Sequence, residues 1–192
     1  MVEEPYPEFK GFSAVSRLSR PCIITEKIDG TNGLVCVYPD YRFSTNNPSK
    51  NSLVLAGSRT QWLTPEKDNH GFAGWVLDHT EELKSLGVGY HWGEWWGQGI
   101  NRKYGLKEKR FSLFNTTLWE NERPACCSVV PILYKGIFCS EAIAITLEQL
   151  RVGGSVAAPG FMKPEGIVIF HEHSRTLFKK TLENDEVPKG KA

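Results

Sequence analysis

Short apolar runs broken by turn residues dominate the chain, and strand patterns outnumber helical ones. "CIITEKI" and "GLVCVY" are β-branched and apolar, and "DGTNG" lies between them. That order predicts two antiparallel strands joined by a short loop. "NSLVLAGSR", "GYHWGEWW", "KRFSLFNTTLW" and "VVPILYKGIF" read as further strands, and "EGIVIFHEH" and "RTLFKKTL" as a closing pair. "HGFAGWVLDHTEELKSLG" has a helical period instead: Phe72, Val76, Leu83 and Leu86 fall near one face and Gly87 is placed to stop it. "TLEQLRVGG" opens with a capping-box spacing, Thr146 to Gln149, and predicts a short helix. "SVAAPGFMKP" reads as a loop, and the polar tail "ENDEVPKGKA" as a fraying end. There is no internal repeat, low-complexity segment or linker, so residues 1–192 read as a single domain. The expected class is α+β, with antiparallel sheets flanked by helices.

Composition narrows the function classes. Hydrophobic residues make up 40% and charged residues 23%, enough to build a core without a membrane span. A net charge of +1 gives no global field toward nucleic acid or membrane, so a polyanion site must be a local patch. Cys22, Cys36, Cys126, Cys127 and Cys139 are odd in number and contain no C-x-x-C pair. That argues against a disulfide framework and a structural zinc, and for a reducing, cytoplasmic setting with buried or inert thiols. The start "MVEEPYPEFKGF" is acidic and proline-punctuated, unlike a signal peptide.

Candidate chemistry begins at Lys27, one residue ahead of an Asp-Gly dipeptide. A glycine there lets the backbone approach a ligand without a Cβ in the way. A lysine amine becomes a nucleophile when neighbouring cations, a metal or desolvation remove its proton. Asp-Gly is equally an ordinary hairpin turn flanked by surface lysines, so this dipeptide alone leaves both readings open.

Lys27 is not isolated. "EKIDG" at 26–30, followed by Asn32, resembles the opening motif of the covalent nucleotidyltransferases, that is, ATP-dependent DNA and RNA ligases and mRNA capping enzymes. Ser58–Arg59, "WGEW" at 92–95, "FSLFN" at 111–115, "PEGIVI" at 164–169 and "LFKKT" at 177–181 resemble the later motifs in the family's order. Together they span residues 26 to 181. The likeness is nearest to the RNA ligases of phage and bacteria, which "GSVAAPGFMKPEGIVIF" also resembles.

That resemblance implies an adenylation domain and a reaction in three in-line displacements. Lys27 would attack the α-phosphate of ATP with Mg²⁺ present, the AMP would pass to a 5′-phosphate, and a 3′-hydroxyl would displace it. RNA is the more expected substrate, and a DNA ligase, an end-adenylating enzyme or a non-catalytic nucleic-acid-binding module are the alternatives. By the same resemblance Glu26 would accept from the adenine amino group, Asn32 and Arg59 would hold phosphate or ribose, and Glu94 would accept from ribose hydroxyls. Phe114 would stack on adenine, with Phe111 its rival on the same strand, and Glu165 would bind metal. Lys179 would hold the α-phosphate; Lys180 beside it is a second candidate for the cofactor, and Arg175 a stand-in for the lysine the family has where this chain has Leu177. Asn115 stands where the family commonly has aspartate. The chain ends about ten residues past the last motif, which leaves no expected room for an OB domain.

Two further patterns stand outside the motifs. His171 and His173 flank Glu172 and could share a strand face as metal ligands, or simply lie at an exposed strand end. "RKYGLKEKR" at 102–110 holds five basic residues and one acid, as a solvated loop or a phosphate-backbone contact.

Overall fold

The computed structural model describes residues 8–39 and 52–186. The first residues of the acidic N-terminal run and the last of the polar tail lie outside that range.

Ten strands form two sheets. The first four strands are β1 (Pro21–Lys27), β2 (Thr31–Pro39), β3 (Ser52–Gly57) and β4 (Trp62–Leu63). The middle of the chain adds β5 (Gly89–Gly97), β6 (Lys109–Leu113), β7 (Cys127–Val129) and β8 (Ile132–Ile137). The closing pair is β9 (Gly166–His171) and β10 (Thr176–Thr181). One sheet runs β10-β9-β1-β8 and the other β4-β3-β2-β5-β6-β7. All pairings are antiparallel except β6 with β7, so the α+β expectation holds with one mixed sheet.

The predicted hairpin across Asp29-Gly30 does not form. β1 pairs with β8 and β9, while β2 pairs with β3 and β5. The Asp-Gly dipeptide is therefore a crossover between sheets. Turn propensity fixes only where the chain bends; which strands pair is decided by apolar faces far apart in sequence.

The helical stretch is broken rather than continuous. α1 (Phe72–Asp78) and α2 (Thr80–Leu83) meet at His79, and a 3₁₀ turn (Lys84–Leu86) ends at Gly87 with φ 78°. Asp68 accepts from Ala73 N and Gly74 N and so satisfies orphan donors of the first turn of α1. Phe72, Val76, Leu83 and Leu86 are all buried, as their spacing predicts, against Val35, Trp95 and Phe111 of the six-stranded sheet. "KRFSLFNTTLW" ends as a strand at Leu113. Asn115 then caps α3 (Thr116–Trp119), accepting from Leu118 N at 3.2 Å, so this asparagine braces the fold. "VVPILYKGIF" splits into β7 and β8 around Val130 and Pro131.

The last helix starts earlier than the capping-box spacing predicts. α4 (Ser140–Gly153) begins after Cys139, whose Sγ accepts from Ala142 N, and Thr146 lies in its interior with its hydroxyl donating to Ala142 O. Its buried Leu150 packs on Cys22, Ile24, Ile167 and Ile169 of the four-stranded sheet. A third cluster of Ile28, Trp96, Tyr104, Val130 and Ala158 includes the crossover residue and residues of both sheets' connections.

Cys22, Cys36 and Cys127 are buried, Cys126 is half-buried, Cys139 is exposed, and all five are free thiols. Among the described residues no helix is long and apolar enough to cross a membrane.

Candidate nucleotide site at the junction of the sheets

Strand register decides which motif residues meet. Opposite residues of an antiparallel pair share a face, and neighbours alternate. Lys27 stands opposite Gly166 on β9, and Gly166 opposite Thr181 on β10. Two residues along, Thr25, Val168 and Lys179 line up on the same face. Lys179 therefore shares the face of Lys27. Lys180 aligns with Ile167 and Glu26, whose face carries the buried Ile24 and Ile169 against α4.

Lys180 is thus corrected as a cofactor ligand: it points away from Lys27, and its Nζ donates to Asp185 Oδ2 at 3.2 Å. Arg175 sits in the β9–β10 turn with φ 53°, at the end of the hairpin away from Lys27, so it does not replace the missing lysine.

The Lys27 Nζ donates to Glu165 Oε2 at 2.5 Å, and the Glu165 side chain is only 2% exposed. Glu165 immediately precedes β9. Gly166 behind it has φ 154°, and a Cβ there would collide with Lys180 O. Glycine is therefore required to turn the chain from Glu165 into the sheet.

The other side of the site comes from the six-stranded sheet. Glu94 on β5 is opposite Asn32 on β2. Its Oε1 accepts from Gly30 N at 2.9 Å and its Oε2 from Asn32 Nδ2 at 3.4 Å. Burial pushes its carboxyl up to about 7; the Lys27 charge and the Gly30 N–H pull it back, and Glu165 and Asp29 push it further up. A Cβ on Gly30 would lie 2.7 Å from Trp96 Cβ and against Trp95 O, so only glycine lets the crossover lie this close to β5.

A clamp invisible in the sequence holds the crossover. Asp29 N donates to Tyr104 Oη at 2.7 Å, Asn101 Nδ2 donates to Asp29 Oδ1 and Gly30 O, and Arg102 Nε donates to Asp29 Oδ2 at 3.1 Å. Arg102 Nη1 also reaches Lys163 O, two residues before Glu165. The basic run 102–110 is thus only partly a solvated loop: Tyr104 is buried, Lys109 donates to His70 O, and Arg110 pairs with Glu108 and lies over Trp96. Lys103 and Lys107 remain exposed. Asn101, Lys103 and Tyr104 adopt positive φ without being glycine, a loop geometry that no periodicity reveals.

Glu26 is 1% exposed, and it accepts from Ser155 Oγ, Val156 N and Ala157 N. With both oxygens engaged by the loop after α4, this geometry does not support the adenine contact; it supports a brace for that loop. Burial raises its pKa and the three donors oppose the shift.

Phe111 and Phe114 separate cleanly. Phe111 is wholly buried, with its ring 5.1 Å from that of Phe72, while Phe114 is 40% exposed just past β6. Phe114 N donates to Trp92 O, and alternation from Ser112, opposite Glu94, places Phe114 on the Glu94 face. Arg59 is exposed on the loop after β3, whose last residue Gly57 pairs with Leu34, so it emerges at the Asn32 end of the sheet.

His171 is buried, not at an exposed strand end: its Nε2 contacts Leu18 O and Ser174 N donates to its Nδ1. His173 is exposed. Among the described residues no three His, Cys, Asp or Glu side chains converge as a metal site.

Two sheets that meet at a lysine, with one carboxylate beside it and another across the junction, make the frame of a covalent nucleotidyltransferase. The RNA ligase family model matches residues 20–182, and the chain belongs to that family. Mutant forms of the RNA ligase of Naegleria gruberi are similar in structure. One, with ATP and Mn, gives a TM-score of 0.61 at 20% identity, covering 86% of this chain and 51% of that one. Another, with AMP and Mn, gives 0.60 at 19% identity, covering 92% and 57%. At that identity the likeness shows the fold. The chain spans about half the length of these structures. No curated protein matches it.

Proposed function

We propose that this chain is the adenylating domain of an ATP-dependent RNA ligase, with Lys27 as the nucleophile. The observation that carries the reading is the junction itself: Lys27 Nζ is paired at 2.5 Å with buried Glu165, while Lys179 shares its face and Glu94 faces it from the other sheet.

An ammonium has no lone pair, so Lys27 must release its proton before it attacks. Glu165 Oε2 accepts from Lys27 Nζ and so stands where that proton would go. The same carboxylate would be the oxygen ligand of a divalent cation. An oxygen donor suits Mg²⁺, which takes one or two carboxylates and fills the rest of its shell with phosphates and water. Such an ion supplies neutralisation of phosphate charge. Lys27 nitrogen then forms a bond to the α-phosphorus, the bond to the bridging oxygen breaks, and pyrophosphate leaves with that electron pair. In the second step an oxygen of a strand's 5′-phosphate attacks the same phosphorus, the P–N bond breaks, and the Lys27 nitrogen takes up a proton and leaves as the amine. In the third a 3′-hydroxyl loses its proton and attacks the 5′-phosphorus, the bond to the bridging oxygen breaks, and AMP leaves with that electron pair. Positioning and charge neutralisation do most of the work in such displacements. Lys179 holds the α-phosphate, Glu94 and Asn32 face the ribose, Phe114 stacks on adenine, and Arg59 reaches phosphate from the sheet end. A cytoplasmic setting with RNA, rather than DNA, as substrate is part of the same reading.

Incubation with ATP labelled on its α-phosphate, followed by a denaturing gel, tests it. The expected result is a labelled protein band that depends on a divalent cation and is absent in Lys27→Ala. A wild-type protein that takes up no label overturns it.

A further inference from the structure

The face of the six-stranded sheet that carries Glu94 does not end at the nucleotide site. Alternation along β5 puts Trp92 and Tyr90 on the Glu94 side, and Tyr90 lies about 13 Å of strand from Glu94. Register carries the same face across the sheet: Tyr90 stands opposite Cys36, Cys36 opposite Leu55, and Leu34 opposite Gly57, which faces Trp62 on β4. The rings of Trp62 and Tyr90 lean together with centroids 6.5 Å apart. Leu34 and Cys36 between them are buried, yet Trp62, Tyr90, Trp92 and Phe114 stay 39% to 65% exposed. The opposite face of this sheet is closed by α1 and α2. Beyond Phe114, the exposed rings of Trp92, Tyr90 and Trp62 therefore form a strip on this face that leads away from the reacting lysine, with the exposed Arg59 on the loop between β3 and β4.

We propose that this strip stacks unpaired bases of the substrate strand next to the reacting end, so that the ligase takes nucleic acid that is single-stranded there. The inference rests on the adenylating function above and names its substrate class. Every base offers a π-face to an aromatic ring, but a paired base in a helix has already given its faces to its neighbours. Arg59 supplies a cation for the backbone at the edge of the rings. Trp92 and Phe114 share the face of Glu94, so an occupant of the strip lies directly against the nucleotide site. That geometry favours the strand itself as the occupant.

The test uses the full chain, a Trp62→Ala/Tyr90→Ala double variant, and a Trp62→Phe/Tyr90→Phe variant that keeps the rings. Each is measured by fluorescence anisotropy with a short 5′-phosphorylated RNA, single-stranded or annealed to its complement, and each is assayed for label uptake from ATP. The wild type should prefer the single strand. The alanine variant should bind the single strand about tenfold or more weakly, change little toward the duplex, and keep its label uptake. The phenylalanine variant should keep most of the affinity. Unchanged single-strand binding in the alanine variant overturns the proposal, as does a duplex preference of the wild type, or an equal loss in the ring-preserving variant. A wild-type dimer that the alanine variant dissolves, without change in RNA affinity, also overturns it and assigns the strip to a second copy. Failure of label uptake in the wild type strikes the adenylating function and is read on a separate assay.

Discussion

Glu94→Gln tests the electrostatics of the junction in isolation from its shape. The amide is nearly isosteric, and its carbonyl still accepts from Gly30 N. In the folded chain the Glu94 carboxyl is held at about 7 instead of 4.5, and burial is the leading cause. Between those two values the folded protein keeps a proton that the unfolded chain has released. The unfolded state then binds fewer protons, so stability falls as pH rises through this window. Integrating from about pH 5 to pH 8 gives a loss of about 2.5 kcal/mol from this group. Glu26, also raised by burial, contributes in the same direction in both proteins, so the difference between them isolates Glu94. Urea unfolding of wild type and variant at the two pH values, with a chelator present, gives the comparison. The wild type should lose about 2.5 kcal/mol more than the variant across the interval, and the variant should be the more stable of the two at the higher pH. Parallel curves would refute the claim that this carboxylate is ionised against its burial.

The two phenylalanines should part company. Phe111→Ala empties a filled site beside Phe72 and Trp75 and should cost about 3–5 kcal/mol in urea unfolding. Phe114→Ala should cost less than about 1 kcal/mol yet raise the KM for ATP in the labelling assay; the reverse assignment would show the opposite split. The adjacent lysines should also differ. Lys179→Ala should slow label uptake about 100-fold, the usual loss of one charge-stabilising group. Lys180→Ala removes only a half-exposed pair with Asp185 and should leave uptake within about twofold of wild type and cost under about 1 kcal/mol. Equal losses in the two variants would contradict the register of β10.

Much of the fold was legible because strand and turn signals are local. The runs around Ile24, Val35, Trp95, Ile169 and Phe178 are all strands, and the apolar spacing of Phe72, Val76, Leu83 and Leu86 marks a buried face. The misread features are those where local signals compete. The Thr146–Gln149 spacing mimics a cap, but a helix already started at Ser140 buries Leu150 and overrides it. Asp29-Gly30 has hairpin chemistry, but the strands on either side bury their faces against different helices.

The site divides in the same way. Residue types in motif order brought Lys27, Glu94, Glu165 and Lys179 forward as candidates, because short motifs carry their chemistry with them. Tertiary structure alone decided that Lys179 and not Lys180 shares the face of Lys27, that Glu26 is walled in by Ser155 and its neighbours, and that Arg102 ties Asp29 to the approach to Glu165. Those relations join segments far apart in sequence, 61 residues for Arg102–Lys163, 73 for Asp29–Arg102 and 129 for Glu26–Ser155. A sequence records which side chains are available at each position. Which of them stand within hydrogen-bonding reach of one another depends on sheet register and on the burial of distant faces, and both are properties of the whole folded chain.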